Sequence, residues 1–330
     1  GRLSVLFGSI ITYSLANIAC GFVNDPQTYK LLRFMAGIGL AGELGAGITL
    51  VAEILPKRLR ALGTSMVAGI GLLGAVAAYF SVEMFSWRAA YFIGGGMGIS
   101  PVLLGVGGFE SGVFELVKNT AHIQKGNFFS LFTNRSRFFR YLKCIGIGVP
   151  TWFVIGILAT FSNEFGKALG INEPIQPGLS IMWCYIGLSV GDLTSGLISH
   201  LLQSRRRAIL YMMLLTALAT AVYLYTGIQT ASILYATTAL LGFGIGYWAM
   251  FVTVGAEQFG TNLRATAATT IPNMVRGTVV LMTLSFGFFK TFLSVQQAGA
   301  LIGFICFAIG ITSTITITET HGRDMDFLEE

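Results

Sequence analysis

Long uncharged stretches, interrupted by short charged segments, dominate the chain. Leu3–Val23, Ala61–Val82, Ala89–Phe109 and Thr291–Thr318 contain no charged residue. Ala208–Ala256 is also uncharged, with a polar break, YTGIQTAS, near its middle. Because about 20 apolar residues cross the hydrocarbon core of a bilayer as a helix, this last stretch predicts two membrane helices.

The whole pattern predicts ten membrane helices and no sheet. Their expected ranges are 3–23, 29–55, 61–82, 87–108, 140–162, 175–203, 207–226, 231–258, 265–290 and 295–318.

Composition decides between a membrane protein and a large soluble one. The 330 residues are 54% hydrophobic and 11% charged, whereas a soluble domain carries about 25% charged residues. Buried helices of a soluble protein would need amphipathic helices to cover them, and the chain has none to spare. The sequence therefore predicts an all-α, polytopic membrane protein.

The basic residues concentrate in alternate loops, for example at 57–60, 135–143 and 205–207. This asymmetry predicts that both ends of the chain are cytoplasmic and fits a cell inner membrane. The net charge of +6 follows from the same bias, so nucleic acid is not an expected partner.

Residues for metal or nucleotide chemistry are missing from the sequence. The four cysteines and three histidines have no metal-ligand spacing, and no G-x-x-x-x-G-K-[ST] loop is present. We therefore expect no enzyme activity, no catalytic residues, no metal and no cofactor, with a proton gradient as the energy source. The expected partners are a small-molecule substrate and the lipid bilayer, and the protein is expected to be monomeric.

An internal repeat organises the chain. AEILPKRLRA at 52–61 and AEQFGTNLRA at 256–265 share the spacing of Ala-Glu and Arg-Ala, and a glycine-rich span precedes each. Glycines at such spacing allow membrane helices to approach closely, and parallel repeats of helical halves are typical of one large transporter class. Six predicted helices follow the longest hydrophilic stretch but only four precede it, so we expect a twelve-helix protein that lacks its first two helices.

Five segments together resemble the major facilitator superfamily, in particular its metabolite:proton symporter and sugar-porter branches. They are GR at the start, RFMAGIGLAGE at 33–43, GELGAGITLVAEILPKRLRA at 42–61, WRAAYF at 87–92 and TETHGRDMDFLEE at the end. The resemblance implies two pseudo-symmetric helix bundles. These are an incomplete four-helix bundle at 1–109 and a six-helix bundle at 140–318, with a cytoplasmic central loop at 110–139 and a cytoplasmic tail at 319–330.

Two departures from the family pattern affect the expected function. The second-half loop motif is GLISHLLQSRRR, with His200 in place of the expected acid, which puts the usual gate at this loop in doubt. The fifth span of the family, here SMVAGIGLLGAVAAYF, lacks the proline of the antiporter motif. Uptake by symport is therefore favoured over drug efflux.

The repeated charges are the candidate cytoplasmic gate. Glu53 with Arg60, and Glu257 with Arg264, each join the end of one span to the start of the next. Exposed pairs are worth only about 0–1 kcal/mol each, but they could latch two bundles in one of two arrangements. The alternative is that they are ordinary positive-inside loops with an incidental glutamate.

Charges within the spans are the candidate substrate-binding or coupling residues, because intramembrane charges are costly. They are Arg33, Glu43, Asp192 and Arg276, and Asn273 lies one helical turn before Arg276. Such groups facing one cavity could bind an anionic or zwitterionic metabolite and carry a proton. The alternative is that they pair with each other and fix packing.

Aromatic residues could line the same cavity. Trp152, Trp183, Tyr247 and Trp248 lie within predicted spans, although such residues also serve as packing or interface anchors. The predicted function is a secondary active transporter that works by alternating access with proton symport. The alternatives are an uncoupled facilitator and a transporter-like receptor or scaffold that binds without transport.

Overall fold

A computed structural model describes residues 2–54, 60–104, 126–322, 327 and 329 of the chain. Within these ranges, the side chains of residues 2–4, 44–46, 48–54, 60–62, 64 and 65 are outside the description. The described residues form helices and no strand. The predicted all-α class is therefore confirmed for this part of the chain.

The helices form two compact units, residues 1–63 with 77–126 and residues 64–76 with 127–330. Five helices lie before residue 105: α1 Arg2–Cys20, α2 Pro26–Ile54, α3 Arg60–Leu72, α4 Gly74–Met84 and α5 Trp87–Leu103. The next four elements are α6 Ser130–Thr133, α7 Arg135–Phe153, a π-helical segment Val154–Ala159, and α8 Ser162–Ala168. The remaining helices are α9 Pro177–Leu202, α10 Arg205–Tyr225, α11 Ala231–Gly244, α12 Trp248–Glu257, α13 Thr261–Phe289 and α14 Val295–Thr316.

Six helical segments of the described chain are long and apolar enough to cross a membrane. They are Met66–Met84, Arg135–Ala159, Pro177–Leu202, Arg205–Tyr225, Ala231–Glu257 and Val295–Thr316. The multi-pass character predicted from the uncharged stretches is confirmed.

Three predicted spans are irregular in the structure. The span predicted at 61–82 divides at Leu73, next to Gly74, whose backbone freedom weakens a helix. The span predicted at 140–162 widens into the π-helical segment after Phe153. The span predicted at 231–258 is interrupted between Gly244 and Trp248.

Polar side chains cap several helices of the second unit. The Asn134 side chain accepts from the amides of Ser136 and Arg137 at the start of α7. Thr230, within the polar break YTGIQTAS, caps α11 in the same way. Ser294 and Gln297 form a capping box that begins α14.

Glycine contacts determine how the helices pack within each unit. In the first unit, a Cβ on Gly39 of α2 would come within 2.6 Å of the Tyr13 amide of α1. A Cβ on Gly95 of α5 would come within 2.8 Å of the Ser14 carbonyl oxygen. The absence of side chains at these positions lets α1 lie against both neighbouring helices.

Candidate functional site

An arginine beside two neighbouring tryptophan rings forms the centre of the candidate site in the second unit. The Arg276 guanidinium carbon lies 5.8 Å from the ring centroid of Trp152 and 6.0 Å from that of Trp248. The two rings meet edge-on, with 6.2 Å between centroids. Cation–π attraction acts at such distances and is stronger in a site from which water is excluded.

Asn273 and Tyr185 extend this cluster. The Asn273 side-chain oxygen accepts from Arg276 Nη1 at 3.5 Å, one turn away on α13, as their spacing predicted. Tyr185 of α9 interacts electrostatically with Arg276. Tyr185 was not among the predicted site residues, because the sequence shows it only as a tyrosine within an apolar span.

The helix is irregular in two of the three segments that supply the central residues, and the third contains a proline. Trp152 lies in the last turn of α7, just after Pro150 and just before the π-helical segment. Trp248 begins α12 after the interruption in its span, and Pro272 lies inside α13 before Asn273. Irregular helices at membrane depth are tolerated where they are buried in protein or line a cavity, and they form binding sites in transporters.

The Trp152 indole has an unused donor. Its Nε1 is buried and has no hydrogen-bond partner among the described residues. A buried indole N–H normally finds an acceptor. The cluster therefore combines a cation, a free N–H and two aromatic faces.

Asp192 and Tyr247 lie in the same unit but are buried among backbone groups. The Tyr247 hydroxyl donates to the Ile147 carbonyl oxygen at 3.1 Å, which joins the interruption before α12 to α7. The Asp192 carboxylate accepts from the Ala249 amide at 3.0 Å. Both side chains are 0% exposed. Trp183, in contrast, is 39% exposed.

Arg33 is the polar centre of the first unit. Its Nη1 donates to the Asn17 side-chain oxygen at 3.2 Å, and its guanidinium carbon lies 5.9 Å from the Tyr91 ring centroid. Tyr91 and Tyr29 share a hydrogen bond of 2.7 Å between their hydroxyls. Glu43, further along α2, interacts electrostatically with Tyr13 of α1. Roles for Arg33 and Glu43 in substrate binding or coupling remain predictions.

The predicted gate charges have different outcomes. Glu257 forms an ion pair with Arg205, with 2.7 Å between Oε1 and Nη2. Arg264 lies in the first turn of α13, where its amide donates to the Gly260 carbonyl oxygen at 2.8 Å. The side chains of Glu53 and Arg60 lie outside the described residues. The gate function of all four charges stays a prediction.

Two carboxylates near the end of the chain bind the same end of the second unit. Glu319 accepts from the amides of Arg205 and Arg206 at 3.1 and 3.2 Å, and from the Ser204 hydroxyl. Glu329 forms an ion pair with Arg140, with 2.7 Å between Oε1 and Nη1.

These hydrogen bonds determine the charge state of Glu319. Burial by itself would raise the pKa of this carboxyl group. The hydrogen bonds from Ser204 and from the amides of His321, Arg205 and Arg206 outweigh burial and lower the pKa to about 2. Glu319 is therefore ionised at neutral pH.

The family follows from a match that covers most of the chain. The sequence profile of the Major Facilitator Superfamily matches residues 1–276. The chain belongs to this superfamily. Its members are transporters and not enzymes, so the predicted family and the absence of enzyme activity are both confirmed.

Several curated transporters are similar to this Major Facilitator Superfamily chain. The niacin transporter NiaP of Acinetobacter baylyi is 35% identical over 99 residues, which cover 29% of this chain and only 23% of NiaP. The gentisate transporter of Corynebacterium glutamicum is 23% identical over 92% of this chain and 67% of its own length. A probable 4-methylmuconolactone transporter of Cupriavidus pinatubonensis is 22% identical over 100% of this chain and 78% of its own length.

Proposed function

We propose that the protein transports small aromatic carboxylates by secondary active transport. The observation that carries this proposal is the position of Arg276 within about 6 Å of the rings of both Trp152 and Trp248. A guanidinium binds a carboxylate with two parallel hydrogen bonds, and aromatic side chains stack on the ring of the same ligand. Relatives named for niacin and gentisate, both aromatic carboxylates, support this class.

The expected mode of binding places the two parts of the substrate on different groups. The carboxylate pairs with Arg276 and with the Asn273 amide, and the ring lies against Trp152 or Trp248. The unused Nε1–H of Trp152 can donate to a ring substituent or to the carboxylate. Tyr185 supplies a further hydroxyl near the cation.

The transport cycle is proposed as alternating access with proton symport in the inner membrane. The proposal includes two pseudo-symmetric bundles with ten of twelve helices in this chain, both chain ends in the cytoplasm, and a monomer. Glu43 is the proposed coupling acid, because a carboxylate within a span can exchange a proton when substrate displaces a neighbouring cation. Glu43→Gln is then expected to abolish proton-driven accumulation and to leave substrate exchange.

Binding and uptake of nicotinate and benzoate test the proposal. Purified protein is expected to bind both ligands, and Arg276→Lys to weaken binding about tenfold, because lysine lacks the planar fork. The matched control is Trp183→Phe, which changes an exposed tryptophan of the same unit. Unchanged binding by Arg276→Lys would overturn the proposed site.

Uptake into proteoliposomes separates the remaining alternatives. Accumulation that requires an inward proton gradient supports symport. Uptake that ignores the gradient indicates an uncoupled facilitator, and binding without uptake indicates a receptor.

A further inference from the structure

Asp192 is a fully buried acid that the proposed substrate contacts do not use. It lies in the second half of α9 and is 0% exposed. Its Oδ1 accepts from the Ala249 amide at 3.0 Å. Its Oδ2 is buried without a hydrogen-bond partner among the described residues. Burying a carboxylate with so few partners is costly, so the arrangement needs a functional reason.

Asp192 supplies a hydrogen-bond acceptor for the first backbone amides of α12, which have no acceptor from a side chain of their own helix end. The first amides of a helix have no partner within the helix, and a side chain normally caps them. At the start of α12, Tyr247 makes no side-chain cap. Asp192 provides the acceptor from α9, and its negative charge also suits the positive end of the α12 dipole.

Glycines bring the carboxylate to this helix end. A Cβ on Gly246, just before α12, would overlap the backbone of Gly191 on α9. The two backbones are therefore in direct contact beside Asp192. A small residue at both positions is what allows a carboxylate of α9 to reach an α12 amide.

On the helices that surround Asp192, the charged residues lie about two helical turns or more away from it. The π-helical segment and α11 carry no Asp, Glu, Lys, Arg or His, and neither do residues 64–76. On α12 the charge is Glu257, eight residues or about 12 Å beyond Ala249, and on α10 the charges are in its first turn. On α8 they are Glu164 and Lys167, and Arg276 faces Tyr185, about 10 Å along α9 from Asp192.

The nearby phenols of the second unit are engaged elsewhere. Tyr223 donates to the Leu158 carbonyl oxygen at 3.1 Å, and Tyr247 donates to that of Ile147. Tyr235 of α11 accepts from the Gln176 amide at 3.0 Å. Among the described residues, backbone amides rather than a cation therefore contact the Asp192 carboxylate.

We propose that Asp192 is a positioning residue that caps α12 from α9 and so holds the Trp248 ring against Arg276. Trp248 is the first residue of α12, directly before the amide that Asp192 binds. When a proton binds at Oδ2, the carboxyl group loses its charge and becomes a weaker acceptor for the Ala249 amide. The first turn of α12 then loosens, and Trp248 moves away from Arg276.

The inference rests on the proposed aromatic-acid site, and one measurement tests it without any ligand. In a Trp87→Phe/Trp183→Phe background, the remaining tryptophans are Trp152 and Trp248. Their emission is recorded from pH 8.5 to pH 5.5 in this background and is expected to shift when Asp192 binds a proton. Asp192→Asn is expected to remove that shift, although His200 and His321 are still present.

Ligand binding gives the second readout. Nicotinate and benzoate stay ionised over this pH range, and their affinity is expected to fall as the pH falls. Asp192→Asn is expected to bind both about fivefold more weakly, the size of a lost helix cap, and with no pH dependence. A merely structural role would lower the thermal stability of Asp192→Asn but leave the shape of its pH profile unchanged.

These measurements distinguish a wrong substrate class from a wrong role for Asp192. If the protein binds neither acid, the proposed substrate class is wrong, and the ligand-free emission still tests Asp192. If Asp192→Asn keeps the pH-dependent emission, the role of Asp192 is overturned. If Asp192→Asn does not fold, Trp248→Phe replaces it, and a pH-dependent shift that persists in Trp248→Phe overturns the proposal equally.

Discussion

Glu257 pairs with Arg205, 52 residues earlier in the chain, at 2.7 Å. The repeated Glu/Arg spacing of the sequence had paired Glu257 with Arg264 in the predicted gate instead. Arg205 begins α10 and Glu257 ends α12, so the pair joins two helices that the sequence alone does not place together. The pair is largely buried, with 17% and 11% of the two side chains exposed.

Removing one member of this pair is expected to destabilise the protein. Glu257→Gln leaves the Arg205 guanidinium without its buried partner and is expected to cost about 3 kcal/mol. The double variant Glu257→Met/Arg205→Met is expected to recover most of this loss, because neither charge then remains buried. Thermal unfolding in detergent measures both effects.

Arg207 provides the matched control for this cycle. It lies in the same first turn of α10 but is exposed. Arg207→Met is expected to stay within about 0.5 kcal/mol of the wild type. If the losses of stability caused by the separate Glu257 and Arg205 substitutions simply add in the double variant, the ion pair does not stabilise this part of the second unit.

Helix positions were predicted well, and most long-range partners were not. The predicted spans agree with α9 to α14 to within a few residues, because bilayer thickness fixes the length of a span. The one-turn spacing predicted that Asn273 would face Arg276. The cap that Asp192 supplies to α12 depends on how two helices cross, which no local pattern encodes.

The π-helical segment and the interruption before Trp248 were also missed. The sequence shows Pro150 and Gly246 close to these two irregularities. A proline or glycine within a span allows an irregular helix at that position but does not require one. The resemblance to a family supplied the two-bundle interpretation. It did not supply Tyr185 or the docking of Glu329.

Glu319 is expected to make stability depend on pH at acidic values. Its pKa is about 2 in the folded chain, below the ordinary value of 4.5. A lowered pKa stabilises the fold above the ordinary value, and this contribution disappears as the pH falls from about 4.5 to about 2. Wild type and Glu319→Gln are therefore expected to differ in melting temperature at pH 6 and to converge near pH 2.

The exposed Glu83 of α4 serves as the control for this comparison. Glu83→Gln is expected to follow the wild-type melting curve over the same pH range. A constant difference between wild type and Glu319→Gln from pH 6 to pH 2 would contradict the proposed origin of the effect.

The docking of Glu329 is expected to protect the start of α13. The Glu329 amide donates to the Asn262 side chain at 3.0 Å, and the Thr261 amide donates to the Phe327 carbonyl oxygen at 2.8 Å. Glu329→Ala removes the pair with Arg140 and should raise hydrogen exchange in the peptide covering 258–264. Exchange at the capping box of α14, residues 294–297, should not change, and a uniform rise over both regions would indicate general destabilisation instead.

Two glycines are expected to control the crossing of α9 and α11. A Cβ on Gly187 would overlap the Ala239 carbonyl oxygen, and a Cβ on Gly242 would overlap the Cys184 carbonyl oxygen. Because the obstacle is backbone in both cases, no side-chain rotation can relieve it, and the helices must separate. Gly187→Ala and Gly242→Ala are each expected to cost about 3 kcal/mol, at the upper end of overpacking effects. Gly277→Ala on α13, where nothing lies within 4 Å of the added Cβ, should leave the melting temperature nearly unchanged; a similar melting temperature for all three variants would show that α9 and α11 do not cross as closely as described.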